Sequence, residues 1–365
     1  MSAFIQTIQT ALPPFTTEQN RIADFMVRHL GLNADEEKQL RILYRASGIR
    51  KRHSVLADYG THLNGEGFFH QGQVFPSAKP RMQLYQQHAV KLAARASEDA
   101  MVALKLQPQD ITHLITISCT GMYAPGLDIE LLEALHLPTQ IQRTSINFMG
   151  CYAAFHGLRM VQQIIKSDPE ARVLMVSVEL CTLHLQDAKD EENLLANAIF
   201  GDGAAALIAS AEPRDQSLKI EGLYSDLALQ GKQEMGWFIG DYGFEMKLSQ
   251  KVPDVIRQGI NDLTEQLLSR MKMDFSEIDF FAIHPGGKRI LEVIEEKLGI
   301  SKEDNLPARE VLKQCGNMSS PTVLFVIKSI LDKLTSDDHG KNLLSFAFGP
   351  GLTLESAILK AHIHA

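Results

Sequence analysis

Four cysteines and one tryptophan are all that 365 residues contain of these two side chains, and acidic residues outnumber basic ones. The thiols, Cys119, Cys151, Cys181 and Cys315, are too few and too scattered in a chain of this length for a disulfide framework. Reduced thiols are expected. No Cys-x-x-Cys pair occurs, and the one close Cys/His spacing, Cys181-Thr182-Leu183-His184, has no second pair to complete a metal site. No metal is therefore expected. A formal charge of −8 argues against a general nucleic-acid or anionic-membrane surface and leaves any anion binding to a local cluster of cations. No run approaches the ~20 apolar residues of a membrane span, and the N-terminus Met1-Ser2-Ala3-Phe4-Ile5-Gln6-Thr7 lacks both the basic start and the apolar stretch of a secretory signal. With 45% hydrophobic residues the chain reads as a soluble, cytoplasmic protein with a large core.

What is present looks like one unit written twice. Residues 111–117 read as a buried strand, a helix runs from Cys151 toward Lys166, and residues 172–178 form the next strand. In the second copy, residues 279–283 and 342–346 are strands and a helix runs from Asn317 to about Leu334. Paired strands start 61 residues apart in the first copy and 63 in the second, which points to internal duplication. Apolar strands alternating with amphipathic helices give an α/β architecture with helices on both faces of buried sheets. The polar stretch 211–217 divides the halves, giving residues 1–213 with the nucleophile and 214–365 with its partners. Helices are also expected over residues 38–45 and from about Arg81.

Within the duplication, three segments carry reactive groups. Gly150-Cys151 is a small-residue turn before Ala154, Leu158, Val161 and Ile165, which recur at helical spacing. The sulfur therefore sits at a helix N-terminus, where unpaired N–H groups and the macrodipole favour the thiolate. His284 precedes Pro285-Gly286-Gly287, a loop with an approachable backbone, and Gly316-Asn317 precedes a helix for which Ser319 or Ser320 is the expected N-cap, with Pro321 at the first helical position. Taken singly, each has a plain structural reading: a buried thiol, a strand-end histidine, a capping asparagine. Together, a thiolate, an imidazole and a carboxamide suit acyl transfer, with N–H donors holding the charge that develops on a thioester oxygen. A Cys-His-Asn set also serves papain-like proteases, but their local cysteine signature is absent here.

In order, from about Arg41 to the C-terminus, Cys151 in its turn, His284 before Pro-Gly-Gly, Gly316-Asn317-Met318-Ser319-Ser320-Pro321 and Phe348-Gly349-Pro350-Gly351 resemble the type III polyketide synthases, the chalcone-synthase-like branch of the thiolase superfamily. The resemblance implies a duplicated thiolase-like αβαβα layered fold and a homodimer. It also implies decarboxylative condensation of an acyl-CoA starter with malonyl-CoA extenders, coenzyme A thioesters as the substrates and no other cofactor, and cyclisation to a pyrone, resorcinol or related ring. Cys151 would carry the acyl group, His284 and Asn317 would be the donors, and Phe200, before Gly201-Asp202-Gly203, would be the gatekeeper between the coenzyme A tunnel and the cavity. Without the resemblance, the small residues after Phe200 mean only tight packing.

By the same likeness Cys119, Thr120, Cys181, Leu183, His184, Ala196, Met246 and Ser319 line the cavity, with Phe348 and Gly349 from the late loop. Gly286 and Gly287 face coenzyme A. The family's cations on the N-terminal helix do not align cleanly, which leaves Arg41 and Arg45, i and i+4 on one helix face, as the expected phosphate contacts. Other departures bear on substrate: Cys119, Cys181 and His184 stand where plant enzymes carry hydroxyls, Met246 replaces an aromatic residue, and Ala347 replaces a glycine. A flexible thioether suits an aliphatic acyl chain better than a rigid aromatic starter. The related ketoacyl-ACP synthase III and a non-catalytic thiolase-fold binding subunit are the alternatives.

Overall fold

The eight residues Val-Leu-Met-Val-Ser-Val-Glu-Leu of one strand are all buried, as are the eight of its counterpart in the second half, so the sheet that holds them is covered on both faces. These features come from a computed structural model, which describes residues 2–60, 67–69 and 75–363. Its strands are β1 (Phe4–Ala11), β2 (Phe15–Glu18), β3 (Lys51–Ser54), β4 (His113–Ser118), β5 (Gln142–Asn147), β6 (Val173–Leu180) and β7 (Asp202–Ser210). The second half supplies β8 (Gln216–Leu227), β9 (Met235–Gly240), β10 (Gly243–Leu248), β11 (Ile278–Ile283), β12 (Asn342–Gly349) and β13 (Thr353–Ile363).

Nine of these run in the order β11-β12-β13-β8-β1-β7-β6-β4-β5. The duplication is visible in the pairing. β4 and β6 are parallel, then β7 and β1 follow antiparallel; β11 and β12 are parallel, then β13 and β8 follow antiparallel. The two halves join where Phe4 and Ile5 of β1 face Lys219 and Leu218 of β8. Helix Ala78–Ala103 covers β1, β6 and β7 on the outside, and helix Val252–Met271 covers β8 and β13 in the same way. Between the sheet halves lie helices Ala153–Ser167 and Thr322–Leu331. The second of these touches strands of both halves and buries seven of its ten residues, the pattern of a helix enclosed on all sides. These five layers are the expected αβαβα arrangement.

Each predicted strand begins within two residues of the observed one. The helix expected from Asn317 opens later, at Thr322, and closes at Leu331. Neither serine caps it. Ser319 has a left-handed φ of 57°, Ser320 turns its hydroxyl to Glu179, and Thr322 instead reaches back to accept from Met318 N at 2.8 Å. Residues 317–319 are thereby released from the helix to cross to the other half. There Asn317 N donates to Ile199 O and Gly201 N donates to Asn317 O, both at 2.9 Å, a parallel bridge between Phe200 and Asn317.

Gly316 makes that crossing possible. Its φ is +71°, and a Cβ there would lie 2.7 Å from Ile199 O and 3.0 Å from the Arg52 side chain. Gly316→Ala is therefore expected to cost about 1–3 kcal/mol, read as a lower denaturant midpoint; an unchanged midpoint would contradict the strain argument.

Candidate active site

Three local conformations set the reactive groups. After β5 the chain passes through Phe148 and Gly150, both at positive φ (63° and 83°), and a Cβ on Gly150 would meet the Pro350 ring at 2.7 Å. This tight turn leaves Cys151 buried two residues before the helix Ala153–Ser167. Asn317 is oriented by its neighbour: Ser319 N donates to Asn317 Oδ1 at 2.8 Å and Nδ2 donates to Gly286 O at 3.2 Å, while Oδ1 and Nδ2 each lie 4.0 Å from Cys151 Sγ. His284 follows β11, its backbone N–H bound to Phe346 O at 2.8 Å, while both ring nitrogens are buried and have no partner among the described residues.

The electrostatics differ from the sequence expectation. The helix does start just beyond Cys151, yet burial outweighs its field and pushes the thiol up to about 11. Burial likewise pushes His284 down to about 3. The resting pair is a thiol and a neutral imidazole whose ring still has one nitrogen to accept a proton and one N–H to donate.

Glu179 escapes a reading by motif. It is a lone acid inside the wholly buried β6, and that isolation is the one sequence signal that could have singled it out. Its carboxylate accepts from Cys119 N (3.0 Å), Thr120 N (3.1 Å), Thr120 Oγ1 (2.7 Å) and Ser320 Oγ (2.7 Å), and from the Cys119 thiol at 3.2 Å. Burial raises its pKa, and these bonds oppose the rise. Its charge in turn holds the Cys119 and Cys151 thiols up, in addition to burial.

A cavity of about 1000 Å³ collects these groups, with Cys151, His284, Asn317 and Phe200 all on its wall. Cys119, Thr120, Cys181, His184, Ala196, Met246, Ser319 and Phe348 also line it, as do Gly286 and Gly287. Four of the expected residues lie off the cavity wall. Leu183 is fully buried outside the cavity, where its carbonyl accepts from Arg81, and Gly349 packs under Tyr152 and the Cys151 amide. Arg41 is taken by Asp24 and Glu37, at 2.6 and 2.7 Å, and Arg45 donates to Arg41 O; neither lines the cavity. The face of helix Ala34–Ala46 that does so carries Gln39, Ile42 and Ala46 instead. Among the described residues, the cations on the cavity wall are Lys189, Lys288 and Arg289, none of which spacing singles out. Trp237 and Leu248, from the β9–β10 hairpin, were also not anticipated.

A duplicated five-layered fold with one half-site from each copy is the arrangement of the thiolase-like condensing enzymes. Comparison with known proteins narrows it. The chain belongs to the chalcone and stilbene synthases: that family's N-terminal domain matches residues 1–213 and its C-terminal domain residues 226–363. It is a type III polyketide synthase, an acyltransferase that condenses an acyl-CoA with malonyl-CoA. The chain is 29% identical over 361 residues to the alpha-pyrone synthesis polyketide synthase-like Pks18 of Mycobacterium tuberculosis, covering 98% of this chain and 90% of that one. It is 29% identical over 364 residues to a putative chalcone synthase of Bacillus subtilis, covering 97% of both. Among solved structures, PKS-I from the brown alga Ectocarpus siliculosus superposes with a TM-score of 0.92 at 28% identity, over 98% of each chain.

Replacing the Glu179 charge should lower the Cys151 pKa. Glu179→Gln is expected to speed Cys151 alkylation by iodoacetamide at pH 8 by a few-fold and to move the alkylation midpoint below that measured for the wild type. A midpoint that stays put or rises would show that the carboxylate does not act on this thiol.

Proposed function

We propose that Cys151 is the acyl carrier and that His284 and Asn317 are the two donors of the condensation. The observation that carries this is the Asn317 amide, held by Ser319 N with both its ends 4.0 Å from the Cys151 sulfur, on one cavity wall with an imidazole that has no hydrogen-bond partner among the described residues. The Cys151 proton passes to His284, the thiolate attacks the starter thioester, and coenzyme A leaves as the thiol. Malonyl-CoA then loses CO₂, and its electron pair becomes an enolate whose oxygen takes N–H bonds from His284 and Asn317. The enolate carbon attacks the Cys151 thioester and expels the thiolate, leaving a chain two carbons longer on coenzyme A. Phe200, beside Asn317 at the crossing of the halves, shields the malonyl carboxylate from water and favours its loss.

The phosphates of coenzyme A are best served by Lys189, Lys288 and Arg289. Their side chains are 44–66% exposed, and their acidic neighbours, Glu36 and Glu292, lie at 3.6–3.8 Å, contacts that a phosphate can displace. Met246, Ala196, Cys119 and Cys181 leave a wall suited to a flexible aliphatic starter, and a pyrone is the product in keeping with the name of the mycobacterial relative. No cofactor is needed for this sequence of steps. A cytoplasmic homodimer is the form we expect; no described helix is long and apolar enough to cross a membrane.

The test is to supply medium and long acyl-CoAs or coumaroyl-CoA together with malonyl-CoA, and to map the acyl adduct by peptide mass spectrometry. The adduct should fall on Cys151, with kcat/KM favouring the aliphatic starters, and Met246→Phe should shift that preference toward coumaroyl-CoA by roughly tenfold to a hundredfold. Labelling of another cysteine with Cys151 unmodified would overturn the carrier assignment, and a wild type that prefers coumaroyl-CoA would overturn the starter.

A further inference from the structure

The β9–β10 hairpin forms a cavity wall without belonging to the main sheet. It is a two-stranded sheet by itself, with Trp237 facing Met246 across the ladder, and Met235, Trp237, Met246 and Leu248 all on the cavity wall. Its other side is open, with Phe238 56% exposed. An isolated two-stranded hairpin is at best marginally stable in water, so its position depends on what fastens it. His184 is central to that fastening. Its Nε2 donates to Thr120 O at 2.7 Å and its Nδ1 accepts from Phe244 N of β10 at 2.9 Å, while the ring stacks on Phe244 with 4.5 Å between centroids and 7° between planes.

Neighbouring contacts keep the imidazole in place. The buried Arg81 donates to Leu183 O and Leu185 O, at 2.6 and 2.8 Å, on either side of His184. Gly243 lies so close that a Cβ there would meet His184 Nδ1 at 3.0 Å and the Arg81 side chain at 2.8 Å. Gln186 Nε2 donates to Phe244 O, and Trp237 Nε1 donates to Cys119 O at 2.7 Å. The same short loop, Cys119-Thr120, thus receives one bond from the hairpin and one from the histidine that grips it, and its own amides are bound to Glu179.

We infer that His184 is a positioning residue: acting as a bridge between Thr120 O and Phe244 N, it clamps the β9–β10 hairpin in place as a fixed wall of the acyl cavity, with product length as one readout of that wall. A carbonyl on one side and an N–H on the other admit only the neutral Nε2–H tautomer. A hydrocarbon of similar size fills the space but makes neither bond. The inference rests on the condensation proposed above only for its product readout.

His184→Gln keeps a donor and an acceptor, whereas His184→Leu keeps neither. Trp237 is the single tryptophan of the chain, so intrinsic fluorescence reports the hairpin alone. In His184→Leu the emission should move to longer wavelength as the hairpin loosens, and the ratio of products with one further malonyl unit to the wild-type product should rise about tenfold. His184→Gln should return both toward wild type. Folded His184→Leu with wild-type emission and product ratio would overturn the clamp, as would His184→Gln behaving like His184→Leu. If the leucine variant does not fold, nitrogen-15 histidine spectra of the wild type, with the His184 signal identified by its loss in His184→Gln, decide the matter. One ring fixed as the Nε2–H tautomer from pH 5 to 8 supports the clamp; a ring that titrates near 6.5 or carries its proton on Nδ1 overturns it. Should the wild type make no polyketide, the condensation reading fails, while the emission and tautomer results still judge the clamp.

Discussion

Two backbone hydrogen bonds of 2.9 Å, between Asn317 and the Ile199–Gly201 segment, hold the site together. Duplication brings the central helices side by side, but it does not by itself fix the distance between a cysteine of one copy and an asparagine of the other. The bridge does. It places Phe200 beside Asn317, and Arg52 reinforces it from below. The guanidinium, fully buried, donates to Phe200 O at 2.6 Å, to Asn197 O at 2.8 Å and to Gln19 Oε1 at 2.9 Å. Main-chain bonds in a dry interior are costly to break without replacement, so the spacing of nucleophile and donors is set by the packing of the whole molecule and not by flexible side chains.

Burial also decides the charge state of the site. Three thiols, an imidazole and a carboxylate share a region where desolvation is the largest influence on each. The outcome is a resting enzyme with a neutral thiol and a neutral histidine. The buried charge of this region, on Glu179, is held by hydrogen bonds from Cys119 N, Thr120 N, Thr120 Oγ1 and Ser320 Oγ. The site is otherwise arranged for charge that appears during reaction, because N–H donors in a low-dielectric cavity are worth more to a transient oxyanion or enolate than they would be in water.

Much of this was legible in the sequence because it depends on periodicity and on residues with few alternatives. Buried strands reveal themselves as apolar runs, and Gly150-Cys151 and Gly316-Asn317 reveal turns that only glycine permits. Side-chain direction was less legible. Arg41 and Arg45 share a helix face, but spacing cannot tell which face meets the cavity; Arg41 turns to Asp24 and Glu37, and Arg45 donates to Arg41 O. Leu183 and His184 are neighbours in a short turn, and only one of them points at the cavity. The Ser319 and Ser320 caps failed for a related reason: Glu179 and the Phe200 bridge compete for the same residues, and tertiary bonds prevailed over local capping. The Cys151 thiol was misjudged because the helix field is a local property and burial is a global one.

The central claim is a division of labour across the bridge, with covalent chemistry assigned to the first half and enolate stabilisation to the second. Release of labelled CO₂ from malonyl-CoA, measured without any starter, tests it most directly. The account predicts that Cys151→Ala still releases CO₂, because an enolate needs donors and no nucleophile, and that Asn317→Ala loses most of that release. Asn317→Ala decarboxylating as fast as the wild type would contradict it.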